Sequence, residues 1–157
     1  MIPPFDMRGL LPAGIHSATW AEVSSYFVHD VRRTTLLSNA REFALTHLRP
    51  QFPMCPLFLA GSTFSDKPYP NDIEACLTIK RAELQLPDGW QKAFNLSGQH
   101  DSIKARYEVD FYLSIEQPGA NDFSQFFQYV GDKTAAIKHL QAKDKRGIIE
   151  VTQWIHG

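Results

Sequence analysis

A chain of 157 residues with 43% hydrophobic and 21% charged residues has the composition of one globular domain, large enough to bury about two thirds of the surface its unfolded form exposes. A formal net charge of -1 gives no global attraction to nucleic acid, so any polyanion must be held by a local patch. Apolar runs are only a few residues long, and Met1-Ile2-Pro3-Pro4-Phe5-Asp6 lacks the basic-then-apolar order of a signal peptide; both features argue against a spanning helix and for a cytoplasmic protein.

Pro3, Pro4 and Pro12, with two glycines, predict an irregular arm over residues 1–16. Thr19 and Glu22 form a Thr-x-x-Glu capping pattern that opens a short helix from Trp20 to Phe27. From Val31, the residues Leu36, Leu37, Ala40, Phe43, Ala44, His47 and Leu48 recur at helical spacing, which predicts an amphipathic helix stopping near Pro50. His47 sits on its apolar edge with no second histidine beside it, the pattern of a packed histidine rather than a ligand. Arg32, Arg33 and Arg41 fall largely on the other side and read as a solvated face.

Leu57-Phe58-Leu59-Ala60 is an uninterrupted apolar run and predicts a central strand buried on both sides. A second strand is predicted from about Ile73 to Ile79. Pro87-Asp88-Gly89 marks a turn opening a short helix through Phe94, and residues 95–104 read as a polar loop. The alternating, β-branched and aromatic stretch from Tyr107 to Ile115 predicts a third strand, ended by Pro118-Gly119. Asn121 or Asp122 caps a helix through Phe123, Phe126 and Phe127, and a further helical stretch covers about Thr134 to Gln141. Gly147 to Val151 is a final strand or an extended arm. Cys55 and Cys76 lie in or beside predicted core strands without metal-ligand spacing and read as reduced packing residues.

Asp72 and Glu74 are two residues apart on an extended stretch, which sends both carboxylates to one face with Ile73 pointing the other way. Asp110 alternates with Val109 and Phe111 on the third predicted strand and can join them if the strands are neighbours. Three like charges converging are costly unless a cation lies between them, and hard divalent ions prefer oxygen ligands. Asp72, Glu74 and Asp110 are therefore the candidate catalytic and metal-ligating residues: Asp72 and Glu74 for an ion that binds a triphosphate, and all three for an ion that activates the attacking oxygen, with Asp110 as base or orienter. Gly61 and Ser62, at the end of the first strand, are the candidate phosphate-binding turn, since glycine permits close backbone approach and the Ser62 hydroxyl can donate. Lys67, in the following loop stiffened by Pro68 and Pro70, is the candidate to reach a β- or γ-phosphate, against the alternative of a merely solvated lysine.

The order apolar strand, Gly61-Ser62, loop, Asp72-Ile73-Glu74 and then Asp110 on a later strand resembles the polymerase-β-type nucleotidyltransferase superfamily. Leu11-Pro12-Ala13-Gly14-Ile15-His16, Ala18-Thr19, Gly61-Ser62-Thr63-Phe64, Lys67, Pro70-Asn71-Asp72, Phe126-Phe127-Gln128 and Gly147-Ile148 resemble more closely an uncharacterised bacterial and phage branch of small nucleotidyltransferase-like proteins. The resemblance implies an α/β (α+β) fold with a small mixed sheet and flanking helices. It also implies a magnesium-dependent enzyme, with two ions and manganese as a substitute, that moves a nucleoside monophosphate from a nucleoside triphosphate to RNA, protein or a small molecule. A toxin or defence role follows from family analogy alone. Glu74 stands where aspartate is commoner, which keeps a second reading open: a noncatalytic module that binds nucleotide, nucleic acid or a protein partner. His16 and His29 read as surface histidines, and Tyr107, Tyr112, Phe123, Phe126, Phe127 and Tyr129 as packing rather than base-stacking residues.

Overall fold

The computed structural model describes residues 1–157. Its centre is a five-stranded mixed sheet built from β1 (Gly14–Ala18), β2 (Leu57–Ala60), β3 (Ile73–Ile79), β4 (Val109–Ile115) and β5 (Gly147–Val151), in the order β1-β5-β2-β3-β4. β2 runs antiparallel to both β3 and β5, whereas β3 and β4 are parallel, as are β1 and β5. The helices are α1 (Trp20–Tyr26), α2 (Val31–Phe43), α3 (Arg81–Leu84), α4 (Gly89–Ser97), α5 (His100–Tyr107), α6 (Phe123–Phe126) and α7 (Gly131–Lys138). None is long and apolar enough to cross a membrane.

Strand periodicity divides the sheet into two unlike faces. Leu57, Leu59, Ile73, Ala75, Leu77, Ile79, Val109 and Phe111 point to one side and join Leu36, Ala40 and Phe43 of α2 and residues of α1, α4 and α5 in the larger core. Phe58, Ala60, Cys76 and Ile148 point to the other and meet Phe127, with Tyr112 and Phe123 packed alongside, in a smaller cluster. All four residues of β2 are buried, as its unbroken apolar run predicts for a central strand. Glu74 lies on the thinly covered face, which is why a polar group is tolerated within an otherwise apolar strand.

The Thr19–Glu22 capping box is present in full at the start of α1. The long helix is α2 followed by a widened last turn, Ala44–Leu48, closed by the Arg49 N–H donating to the Ala44 carbonyl at 2.9 Å. His47 shares a 2.9 Å hydrogen bond with the Tyr107 hydroxyl, and burial lowers its pKa below the ordinary histidine value. Cys55 and Cys76 are free and buried, and burial pushes the Cys76 thiol up to about 11.

Four expectations are corrected. The irregular arm ends at residue 13, because Gly14–Ala18 pairs with β5; this edge strand is too short and too polar to stand out from its neighbours. Residues 95–104 are not a loop: they complete α4 and begin α5, whose few core contacts, Ile103 and Tyr107, sit four apart on one face. Tyr107 therefore ends a helix rather than starting a strand, and Glu108, with φ of 55°, turns the chain into β4. The helix expected at 134–141 lies three residues earlier, as α7. Fourth, Arg33 is not solvated but 5% exposed, and Arg32 is also engaged with the protein; Arg41 alone of the three stays at the surface.

Candidate functional site

The C-terminal end of β2 and the N-terminal ends of β3, β4 and β5 meet at one edge of the sheet. There the chain leaves β2 through Gly61 and enters a turn of 3₁₀ helix, Ser62–Phe64. Gly61 has φ of 93° and ψ of -167°, a region open in practice only to glycine, and a side chain there would press on Glu74, whose Cγ and Cδ stand 3.2 Å from the place of a Cβ. The turn thus brings bare backbone against the Glu74 carboxylate.

Two consecutive arginines in the first turn of α2 fasten the loop that follows. Arg33 Nε donates to the Thr63 carbonyl at 2.6 Å, and its Nη2 donates to the carbonyls of Ser65 at 2.6 Å and Lys67 at 2.7 Å. Asp30, the N-cap of the helix, receives Arg33 Nη1 at 2.7 Å, so the buried guanidinium is neutralised locally. Arg32 donates to the carbonyls of Pro70 at 2.9 Å and Asn71 at 2.6 Å, stacks over the Tyr69 ring, and makes a two-pronged pair with Glu108. One arginine holds the start of the loop and the other holds its end to the entry of β4. Their positions carried a signal: cations oppose the dipole at a helix N-terminus and need a partner outside the helix.

Glu74 and Asp110 are directly paired in the β3–β4 register, so their side chains share a face, and Asp72 precedes Glu74 by two residues on the extended chain entering β3. Each acid has a basic side chain of its own beside it. Lys104 Nζ stands 3.4 Å from Asp72 Oδ2, Arg146 Nη2 3.7 Å from Glu74 Oε2, and His100 Nε2 2.6 Å from Asp110 Oδ1, while the Tyr112 hydroxyl donates to Asp110 Oδ2 at 3.1 Å. His100 and Lys104 are four apart on α5 and reach Asp110 and Asp72 from the same helix. Reading this segment as a loop hid both residues, and Arg146, in the turn before β5, carried no motif to reveal it.

Burial raises the Glu74 carboxyl above the ordinary carboxylate range against the opposing pull of Arg146, with Asp110 and Asp72 adding to the rise. Burial lowers the Arg146 guanidinium in the same pair. Asp101, by a hydrogen bond, and then Asp110 raise His100. Burial and the neighbouring Asp110 push Tyr112 up to about 12. Glu74 Oε2 is buried with no hydrogen-bond donor, an acceptor left unsatisfied at the centre of the site.

Of the residues expected to act together, Gly61 lies against Glu74, Glu74 faces Asp110, and Ser62 begins the turn; Lys67 is tied by its carbonyl to Arg33 and has an exposed side chain. No group of three or more His, Cys, Asp or Glu side chains is gathered closely enough to hold one metal ion. His16 packs its Nε2 on the Pro12 carbonyl at 2.7 Å, away from any role in the acid cluster.

No curated protein and no solved structure matches the chain. Residues 3–152 match the family model of DUF6932, described as a family of unknown function, and the chain belongs to that family.

Proposed function

We propose that the protein is a divalent-metal-dependent nucleotidyltransferase acting at the edge formed by Gly61, Ser62, Asp72, Glu74 and Asp110. The observation that carries the reading is the placement of Glu74 opposite Asp110 on parallel strands, beside a glycine turn that ends the antiparallel strand β2. The donor set suits magnesium in kind: three carboxylates are hard oxygen ligands, and the orphaned Glu74 Oε2 is an acceptor that a cation would satisfy. Asp72, Glu74 and Asp110 are not gathered round one point as they stand, so they would hold the ions only by turning from Lys104, Arg146 and His100 toward one another. Bound magnesium would supply charge neutralisation for a triphosphate and activation of an acceptor oxygen.

The protein's own contributions follow from the geometry. Arg32 and Arg33 fix the loop from Gly61 to Asn71, so Ser62 and Lys67 are presented from a preset backbone and little order is lost on binding triphosphate. Before any ion binds, Asp110 is held by His100 Nε2 at 2.6 Å and by the Tyr112 hydroxyl at 3.1 Å, so its carboxylate is fixed at the site by groups of the protein itself. Incubating the protein with α-labelled nucleoside triphosphates, magnesium and cell extract tests the reading, with Asp72→Ala and Asp110→Asn as controls. Label should move to an acceptor with the native protein and fall at least a hundredfold with either variant; transfer that survives both substitutions rejects it.

One observation favours a second reading, a noncatalytic module that binds nucleotide, nucleic acid or a protein partner: every acid is already partnered by a basic side chain of the chain itself. Under it, nucleotide raises the melting temperature equally with and without magnesium, and no label is transferred.

A further inference from the structure

Arg146 is a buried arginine with few partners in the protein. Its side chain is 10% exposed, its one hydrogen bond runs from Nε to the Phe127 carbonyl at a long 3.4 Å, and Nη2 meets Glu74 Oε2 at 3.7 Å, beyond hydrogen-bond range. Buried ion pairs offset their desolvation only when geometry is good and the remaining donors and acceptors are filled. Here the geometry is poor: the guanidinium makes one long hydrogen bond to the protein, leaving its other donors open to solvent or a ligand, and the buried carboxylate oxygen facing it has none. Arg33 shows what this fold does with a guanidinium of structural purpose, since its three nitrogens all donate within 2.7 Å. Glu74 lies between Arg146 and the bare backbone of Gly61, so Arg146 borders the proposed triphosphate turn.

Taking its ligand class from the nucleotidyl-transfer reading, we propose that Arg146 is the anchor for the phosphate chain of a triphosphate, and that Glu74 holds it in reserve until the phosphate takes its place. A planar fork of donors is matched to phosphate oxygens, and the anion fills the donors that Glu74 leaves idle. A cation at Glu74 and an oxyanion at Arg146 each free the other's partner, so divalent ion and phosphate chain bind with positive coupling, and reciprocally.

Calorimetric titration with inorganic tripolyphosphate in EDTA separates this from the transfer chemistry, because it involves neither metal nor nucleotide. Arg146→Gln should weaken binding at least tenfold and Arg146→Lys by less, while Glu74→Gln, which removes the competing negative charge but keeps the shape, should tighten it about tenfold. In a second titration with magnesium in place of EDTA, binding to the native protein should strengthen, and most of that effect should be lost in Glu74→Gln. Circular dichroism and the melting temperature of Arg146→Lys establish that the fold is kept. Equal affinity of the native protein and Arg146→Gln overturns the assignment, as does weaker binding by Glu74→Gln, no binding by the native protein and Glu74→Gln alike, or preference for a single-stranded oligonucleotide over tripolyphosphate. Tripolyphosphate binding that depends on Arg146 without any label transfer would sink the transfer reading and leave the anchor standing.

Discussion

Replacing Arg33 by methionine keeps the aliphatic stem and removes the guanidinium that closes the loop after Gly61. Thr63 and Ser65 are buried, and their carbonyls each receive a 2.6 Å hydrogen bond from Arg33; both would be left without that donor. Hydrogen bonds to a charged group contribute about 1.5–3 kcal/mol each. The Lys67 carbonyl is at an exposed residue and Asp30 remains partly open, so water replaces those two partners at small cost. With some water entering the space left behind, the loss is about 3–5 kcal/mol, the range for breaking a buried ionic network. That is a large part of the roughly 5–15 kcal/mol that holds an ordinary domain folded. For a chain of this length it corresponds to a fall in melting temperature of about 10 °C, at 2–4 °C per kcal/mol. Urea denaturation of the native protein, Arg33→Met and Arg33→Lys measures it, and lysine should recover under half of the loss because it cannot span three carbonyls at once. A methionine variant within about 1 kcal/mol of the native protein would refute the reasoning, since hydration would then serve the carbonyls as well as the guanidinium does.

Gly61→Ala should cost about 2–3 kcal/mol, from a backbone conformation that non-glycine residues avoid and from pressure on Glu74; a denaturant midpoint unchanged from the native protein would contradict the tight approach. His100 should titrate above the ordinary 6.5, so its pairing with Asp101 and Asp110 stabilises the fold fully below about pH 6.5 and is lost as pH rises through the higher folded value. Proton–nitrogen NMR of the imidazole follows this directly, and Asp101→Asn or Asp110→Asn should each lower the midpoint. Neither cysteine should react with a thiol reagent at pH 8 in the folded protein, and both should react once it is unfolded; rapid labelling of the native state would mean that Cys76 is not the buried, protonated thiol described above.

β2 could be read from the sequence because an unbroken apolar run lies between Pro56 and Gly61, and β3 because its apolar residues follow the Pro70-Asn71-Asp72 break. The capping box at Thr19 was equally legible, being local hydrogen-bond chemistry within four residues, and of the two cap candidates Asn121 and Asp122 it is Asp122 that caps α6. α5 was not, because only Ile103 and Tyr107 reach the core and the remaining polar residues face solvent or the acid cluster. β1 escaped notice for the same kind of reason: its strand character comes from pairing with β5, more than a hundred residues away.

The sequence by itself determined that Glu74 and Asp110 lie on strands and that a glycine turn precedes Glu74, since backbone period and steric freedom are properties of neighbouring residues. Only the tertiary structure decided what surrounds them. The parallel register of β3 and β4 set Glu74 against Asp110, α5 brought His100 and Lys104 to the aspartates, the turn before β5 delivered Arg146, and α2 placed Arg32 and Arg33 under the loop. Charges buried in a fold must find partners, and those partners come from whichever distant segment the packing places beside them, which no local pattern encodes.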